Sequence, residues 1–169
     1  MRVELTAPLP FADASFDRIF SEHVLEHFTR DAGLSLLREC RRVIVPDGRI
    51  RITVPDLDFY LSLFNDPATW PADTRAFATF ITETHKLYTP CQILNWQLTL
   101  AADHPYGHKF AYNESELRAA LIAAGFGDVR RYKAGESDDP ELRGLENVER
   151  LPPRIIATEA LTLEASPSR

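Results

Sequence analysis

The stretch Ser15-Phe16-Asp17-Arg18-Ile19-Phe20-Ser21-Glu22-His23-Val24-Leu25-Glu26-His27-Phe28 places two histidines and two glutamates just beyond a short apolar run. Imidazole and carboxylate groups so close together suit proton transfer, metal ligation or contact with a bound molecule at the end of a strand. Residues His23 to His27 also match H-x-x-E-H, the inverted order of a zinc-protease motif. On a helix the two imidazoles would share a face, with Glu26 as a base, but a third ligand would have to come from elsewhere. No metal ligand set is therefore assigned. A second group, His104-Pro105-Tyr106-Gly107-His108-Lys109, gathers polar and aromatic side chains in a loop, and with His85 it could line an acceptor pocket. Solvated, capping or core histidines are the plainer alternative for both groups. Cys40 and Cys91 have no histidine beside them in sequence and read as packing residues.

The elements that would position these groups follow from periodicity. Phe16 to Ser21 is short, apolar and aromatic, and reads as a strand. Leu36, Leu37, Cys40, Val43 and Ile44 recur at helical spacing, with Asp31 as a plausible cap and Pro46-Asp47-Gly48 as the stop. Arg49 to Val54 alternates strictly, so a second strand is expected, with Arg49, Arg51 and Thr53 on a wetter face. Residues 56 to 103 read as a helical insertion, in which Phe59, Leu63 and Phe64 form one patch, Phe77, Phe80 and Ile81 another, and Pro90 opens a third helix. Asn113-Glu114-Ser115-Glu116 has the form of a capping box, with Gly125 as the helix stop. Val129 to Tyr132 and part of Arg154 to Leu163 are the remaining strands. Residues 1 to 165 are expected to form a single domain, with 166 to 169 a frayed tail.

Strand, helix, strand, then helix and strands again implies an α/β layer with a largely parallel sheet. Such sheets bind ligands beyond the carboxyl ends of their strands. Leu9-Pro10-Phe11, Ser15-Phe16-Asp17, His23-Val24-Leu25-Glu26-His27, Arg41-Arg42-Val43 and Pro46-Asp47-Gly48, as an ordered set, resemble the second half of class I S-adenosylmethionine-dependent methyltransferases, of the methyltransferase type 11 kind. The resemblance implies an incomplete Rossmann-like sheet, mostly parallel with a closing antiparallel strand, plus the helical insertion. It makes Phe16 to Ser21 similar to the family's fourth strand, Arg49 to Val54 to its fifth, and the last two strands to its closing pair. The glycine-rich turn of the family's first strand and the acid of its second have no counterpart here. What remains of a cofactor site, by resemblance, is Glu4 toward the adenine, and Ser21, Glu22 and His23 beside the methionine portion, with S-adenosylmethionine as the cofactor. His23 and His27 are then the expected catalytic bases, and His85, His104, Tyr106 and His108 the expected acceptor contacts. The resemblance implies a methyltransferase whose acceptor is open. A noncatalytic interaction module built on the same fold and, more distantly, a zinc hydrolase stand as alternatives.

Without the family's first half, the fourth strand would lie at the edge of the sheet, where unpaired backbone groups invite another chain. A homodimer or a partner chain covering that strand is therefore expected. The chain has 169 residues, 44% hydrophobic and 26% charged, enough for one core. A net charge of −6 with no basic stripe argues against a nucleic-acid footprint. No membrane span or export signal is read from the sequence, and two separated cysteines fit a reducing compartment, so a cytoplasmic protein is expected.

Overall fold

A computed structural model describes residues 3–99, 107–146 and 154–168. Four strands form one sheet: β1 (Phe16–Glu22), β2 (Ile44–Pro55), β3 (Phe126–Tyr132) and β4 (Ala160–Pro167). Their spatial order is β1-β2-β4-β3. β1 runs parallel to β2, while β4 is antiparallel to both β2 and β3. Three strands thus point the same way and β4 alone is reversed, the arrangement that the resemblance implied. β1 is an edge strand among the described residues.

Between β1 and β2 lies α1 (Arg30–Val43). Its cap is Thr29, whose hydroxyl accepts from the Ala32 backbone N–H, instead of the expected Asp31. The helix stops at Val43 because Ile44 turns extended and already pairs with Phe16. Pro46-Asp47-Gly48 is therefore not the helix stop but a bulge: Phe16 pairs with Ile44 and Arg18 with Arg49, so the residues between 44 and 49 loop out of the ladder. At Gly48 a Cβ would come within 2.6 Å of Ile44 Cγ1 and 2.9 Å of the Asp17 carbonyl, so the bulge can close only on a residue without a side chain.

On one face of the sheet Ile50, Ile52 and Val54 of β2 meet Leu161, Leu163 and Ala165 of β4 across the ladder. α1 and α5 (Glu114–Ala123) pack over them through Leu36, Leu37, Leu117 and Leu121. α5 is capped as expected, the Asn113 side chain accepting from Glu116 N–H at 3.1 Å. Glu116 turns its own carboxylate to Arg30 Nε, 2.7 Å away. The opposite face is not wetter, as its polar residues suggested. Arg51 and Thr53 are fully buried, because residues 133–146 fold over them and Glu146 meets both.

The 56–103 region carries α2 (Leu57–Ser62), α3 (Ala72–His85) and α4 (Pro90–Thr99). Tyr60, Leu63, Phe77, Ile81 and Ile93 form a second core, joined by Ile155 of α6 (Arg154–Glu159). Phe64 departs from its expected patch and is exposed. The 154–163 segment contains the expected strand, extended from Ala160, where pairing with Pro55 begins, and is helical before it, to Glu159. Beyond Ala165 the chain is not frayed: β4 runs on to Pro167, which pairs with Phe126, and Ser168 N–H donates to the Gly125 carbonyl. Cys40 is buried, burial pushing its thiol up to about 11, whereas Cys91 is exposed and does not serve the packing role read for it.

Candidate functional site

The carboxyl end of β1 carries the polar group that the sequence marked. Ser21 and Glu22 pair with Ile52 and Thr53, and His23 closes the strand by donating its backbone N–H to the Thr53 carbonyl at 2.9 Å. His23 has φ of 50°, a left-handed backbone that favours glycine, so the chain turns sharply there. A three-residue 3-10 turn, Leu25–His27, follows. H-x-x-E-H is therefore not presented on the α-helix that the hydrolase pattern needs.

Glu26 is almost wholly enclosed, its side chain 3% exposed. His23 Nδ1 lies 3.4 Å from Glu26 Oε1 and His27 Nε2 lies 4.0 Å from the same oxygen. From the other side comes His108, its ring edge-on to His27 at 4.9 Å between centroids. The loop carrying His108 is clamped to the turn, since Lys109 N–H and Phe110 N–H donate to the Glu26 carbonyl at 2.8 and 3.2 Å. α4 adds a further anchor: the Gln97 carbonyl is 2.8 Å from His108 Nδ1.

Burial by itself lowers the His23 pKa, but the neighbouring Glu26 carboxylate, with Glu159 and Glu22, outweighs it and holds His23 above its ordinary value. His108 lies on the other side of its ordinary value, lowered by burial despite the Gln97 carbonyl. Glu159 is pushed up to about 7 by burial, with His23 opposing and Glu26 adding to the rise. Tyr60 donates its hydroxyl to Glu159 Oε2. Two imidazoles shifted in opposite directions and a carboxyl pushed up to about 7, with a buried carboxylate among them, can hold or exchange protons, or ligate a cation.

Of the residues singled out in the sequence, His23, His27 and His108 come together, with Ser21 and Glu22 on the strand that leads to them. Glu4 is exposed and its carboxylate accepts from the Thr6 hydroxyl and N–H at 2.6 and 3.0 Å, so a local turn engages it. His85 is exposed at the end of α3 and lies against Trp96, ring centroids 4.6 Å apart. His104 and Tyr106 lie outside the described residues. Gln97 and Glu159 were not singled out, and no local pattern marks them: each acts through a contact made by the fold. Glu26 was visible only as the base of the zinc pattern.

Residues 1–52 match the family model for the methyltransferase domain. Over this segment the chain is similar to that family. Its fold is that of the class I S-adenosylmethionine-dependent methyltransferases. A Thermotoga maritima S-adenosylmethionine-dependent methyltransferase is 12% identical, with 99% of this chain and 63% of that one covered at a TM-score of 0.53. A Haloferax volcanii methyltransferase, solved in complex with a methyltransferase activator, is 15% identical, with 99% and 60% covered and a TM-score of 0.53. A Burkholderia thailandensis didemethyltoxoflavin N-methyltransferase, with its acceptor and S-adenosylhomocysteine bound, is 17% identical, with 99% and 49% covered and a TM-score of 0.50. The chain thus spans between 49% and 63% of the length of these three methyltransferases. No curated protein sequence matches it.

Proposed function

We propose that this methyltransferase-like chain forms the acceptor side of an S-adenosylmethionine-dependent methyltransferase, and that segments outside these residues complete the cofactor's cradle. One observation carries the reading: among the described residues β1 is an edge strand beside an apolar groove of ≈ 470 Å³, and the polar group stands at that strand's carboxyl end. Leu9, Phe16, Ile19, Phe20 and Leu37 line the groove.

The residues present do not hold the cofactor unaided. Gly125-Phe126-Gly127 stands where α5 gives way to β3, with Gly125 at φ 95°. The Gly125 carbonyl accepts from Arg41 Nε and Ser168 N–H. This is a helix stop, not a turn opening a helix toward a ligand. What this half contributes is positioning: the end of β1, with His23 and His27 beside it, is where the acceptor's nucleophilic atom is held.

Nuclear magnetic resonance titration with S-adenosylmethionine tests this. A partial site at the end of β1 predicts saturable shifts of the Ser21, Glu22 and His23 amides with Kd near millimolar, about −4 kcal/mol, reversed by S-adenosylhomocysteine. Amides unmoved at several millimolar ligand would support the second reading, a noncatalytic interaction module, which the open edge of β1 favours. Micromolar affinity would place the whole cradle in this chain, against the proposal.

A second copy of the chain pairing through β1 would cover both the edge and the groove. Light scattering at micromolar concentration is expected to give twice the 19.2 kDa chain mass. Substituting Phe20→Lys should return it to the monomer value. A folded monomer without that change would exclude the homodimer.

A further inference from the structure

The group at the end of β1 is left short of hydrogen bonds by the described residues, His23 approaching Glu26 only to 3.4 Å. Neither Glu26 oxygen has a hydrogen-bond partner among the described residues, and the same holds for His27 Nδ1 and His23 Nε2, all four buried. A carboxylate shut away from water without donors is costly, more so than a neutral group, unless a cation meets it. Ligand atoms of Glu26, His27 and His108 lie within 4.8 Å of one another.

The tautomer of His108 agrees with a cation. A carbonyl can only accept, so the Gln97 contact places the proton on Nδ1 and leaves Nε2 with its lone pair. A backbone carbonyl fixing one ring nitrogen while the other faces the ion is the usual outer shell of a metal-bound histidine. Beside Glu26 and His108 lies a cavity of ≈ 20 Å³, walled by Pro55, Leu57, Leu94 and Leu98 and large enough for one water-sized particle.

The geometry points to a divalent transition-metal site formed by Glu26 Oε, His27 and His108 Nε2. Two imidazoles and one carboxylate suit zinc and its neighbours, and disfavour calcium and magnesium, which take oxygen ligands. Donors on a tetrahedral ion stand roughly 3.3 Å apart, so an ion would draw the Glu26, His27 and His108 ligand atoms, which lie within 4.8 Å of one another, closer together. His23, 3.4 Å from Glu26 Oε1, orients the carboxylate from outside the shell. Here Glu26 is a ligand, not the base that the helical zinc pattern would make it, and the third donor comes from a loop some eighty residues downstream. The site stands on its own geometry and does not depend on methyl transfer.

The test uses the untagged chain, stripped by chelator, in a Cys91→Ser background so that the exposed thiol cannot compete. Calorimetric titration with Zn²⁺ is expected to give one ion per chain with Kd at or below micromolar. Co²⁺ in its place should give the visible absorption of a four-coordinate ion. Substituting His108→Ala or Glu26→Gln should weaken zinc at least a hundredfold, and His23→Gln roughly tenfold. Circular dichroism checks that each variant is folded; where Glu26→Gln is not, His108→Ala and the cobalt spectrum decide. Affinity weaker than millimolar, or affinity that His108→Ala leaves unchanged, would overturn the site and leave an ion-paired His23–Glu26 cluster in its place.

Discussion

Substituting Arg51→Met should remove about 3–5 kcal/mol of stability, a large part of the total for a domain of this size. The guanidinium is 0% exposed in the middle of the sheet. Its Nε and Nη1 each stand 2.6 Å from a carboxylate, Glu146 and Glu164, and it also donates to the carbonyls of Glu136 and Lys133. Burial alone would raise the Glu146 pKa, yet Arg51 and the Gly135 N–H hold it below its ordinary value. Removing the cation leaves two enclosed carboxylates with too little to meet them, while Arg49 reaches only Glu164, at 3.4 Å. Urea unfolding should show the loss as a lower midpoint at unchanged slope. Adding Glu146→Gln and Glu164→Gln should restore most of it, because the cost lies in the unpaired charges. A loss under about 1 kcal/mol for the single substitution would show that water reaches the carboxylates.

Stability should fall as the pH rises from about 4.5 to about 7, by about 3 kcal/mol in total, through Glu159. Its folded-state pKa is pushed to about 7, above the ordinary 4.5, so folding takes up a proton between these values. The contribution is complete below the unfolded value and lost as the pH rises through the folded one. Tyr60, His23 and Glu26 are the groups that act on it. His23, also raised, adds a loss of the same sign at the upper end of the window, and His108, lowered, opposes it. Comparing urea unfolding of the protein with that of Glu159→Gln across this range separates the carboxyl from the histidines: the variant should lose most of the fall and keep only what the histidines contribute. Equal slopes in the two proteins would mean that Glu159 ionises normally.

Much of the sheet was legible because its signals are local. Phe16 to Ser21 and Arg49 to Val54 carry strand patterns within six residues, and the Asn113 cap and Gly125 stop bracket α5. The family resemblance then ordered these pieces and put β1 at the edge. The misreadings share one cause, a partner far along the chain. Arg51 and Thr53 looked solvated because alternation reports only that a face is polar, and Glu146 lies 95 residues from Arg51. The bulge at 45–48 passed for a helix stop because proline, aspartate and glycine serve both purposes. In the site, the histidines at 23 and 27 were visible as a cluster. The Gln97 carbonyl that fixes His108, and the isolation of the Glu26 carboxylate, exist only once α4 and the 107–110 loop close on the turn.

The left-handed backbone at position 23 sets two demands on one residue. Conformation alone would select glycine there, since any Cβ is strained at that angle. An imidazole occupies it instead, so the fold and the chemistry want different side chains at the same point. A protein engineered for ruggedness would drift toward glycine at 23 and lose the ring, whereas one kept for its work at the strand end would accept the less comfortable residue.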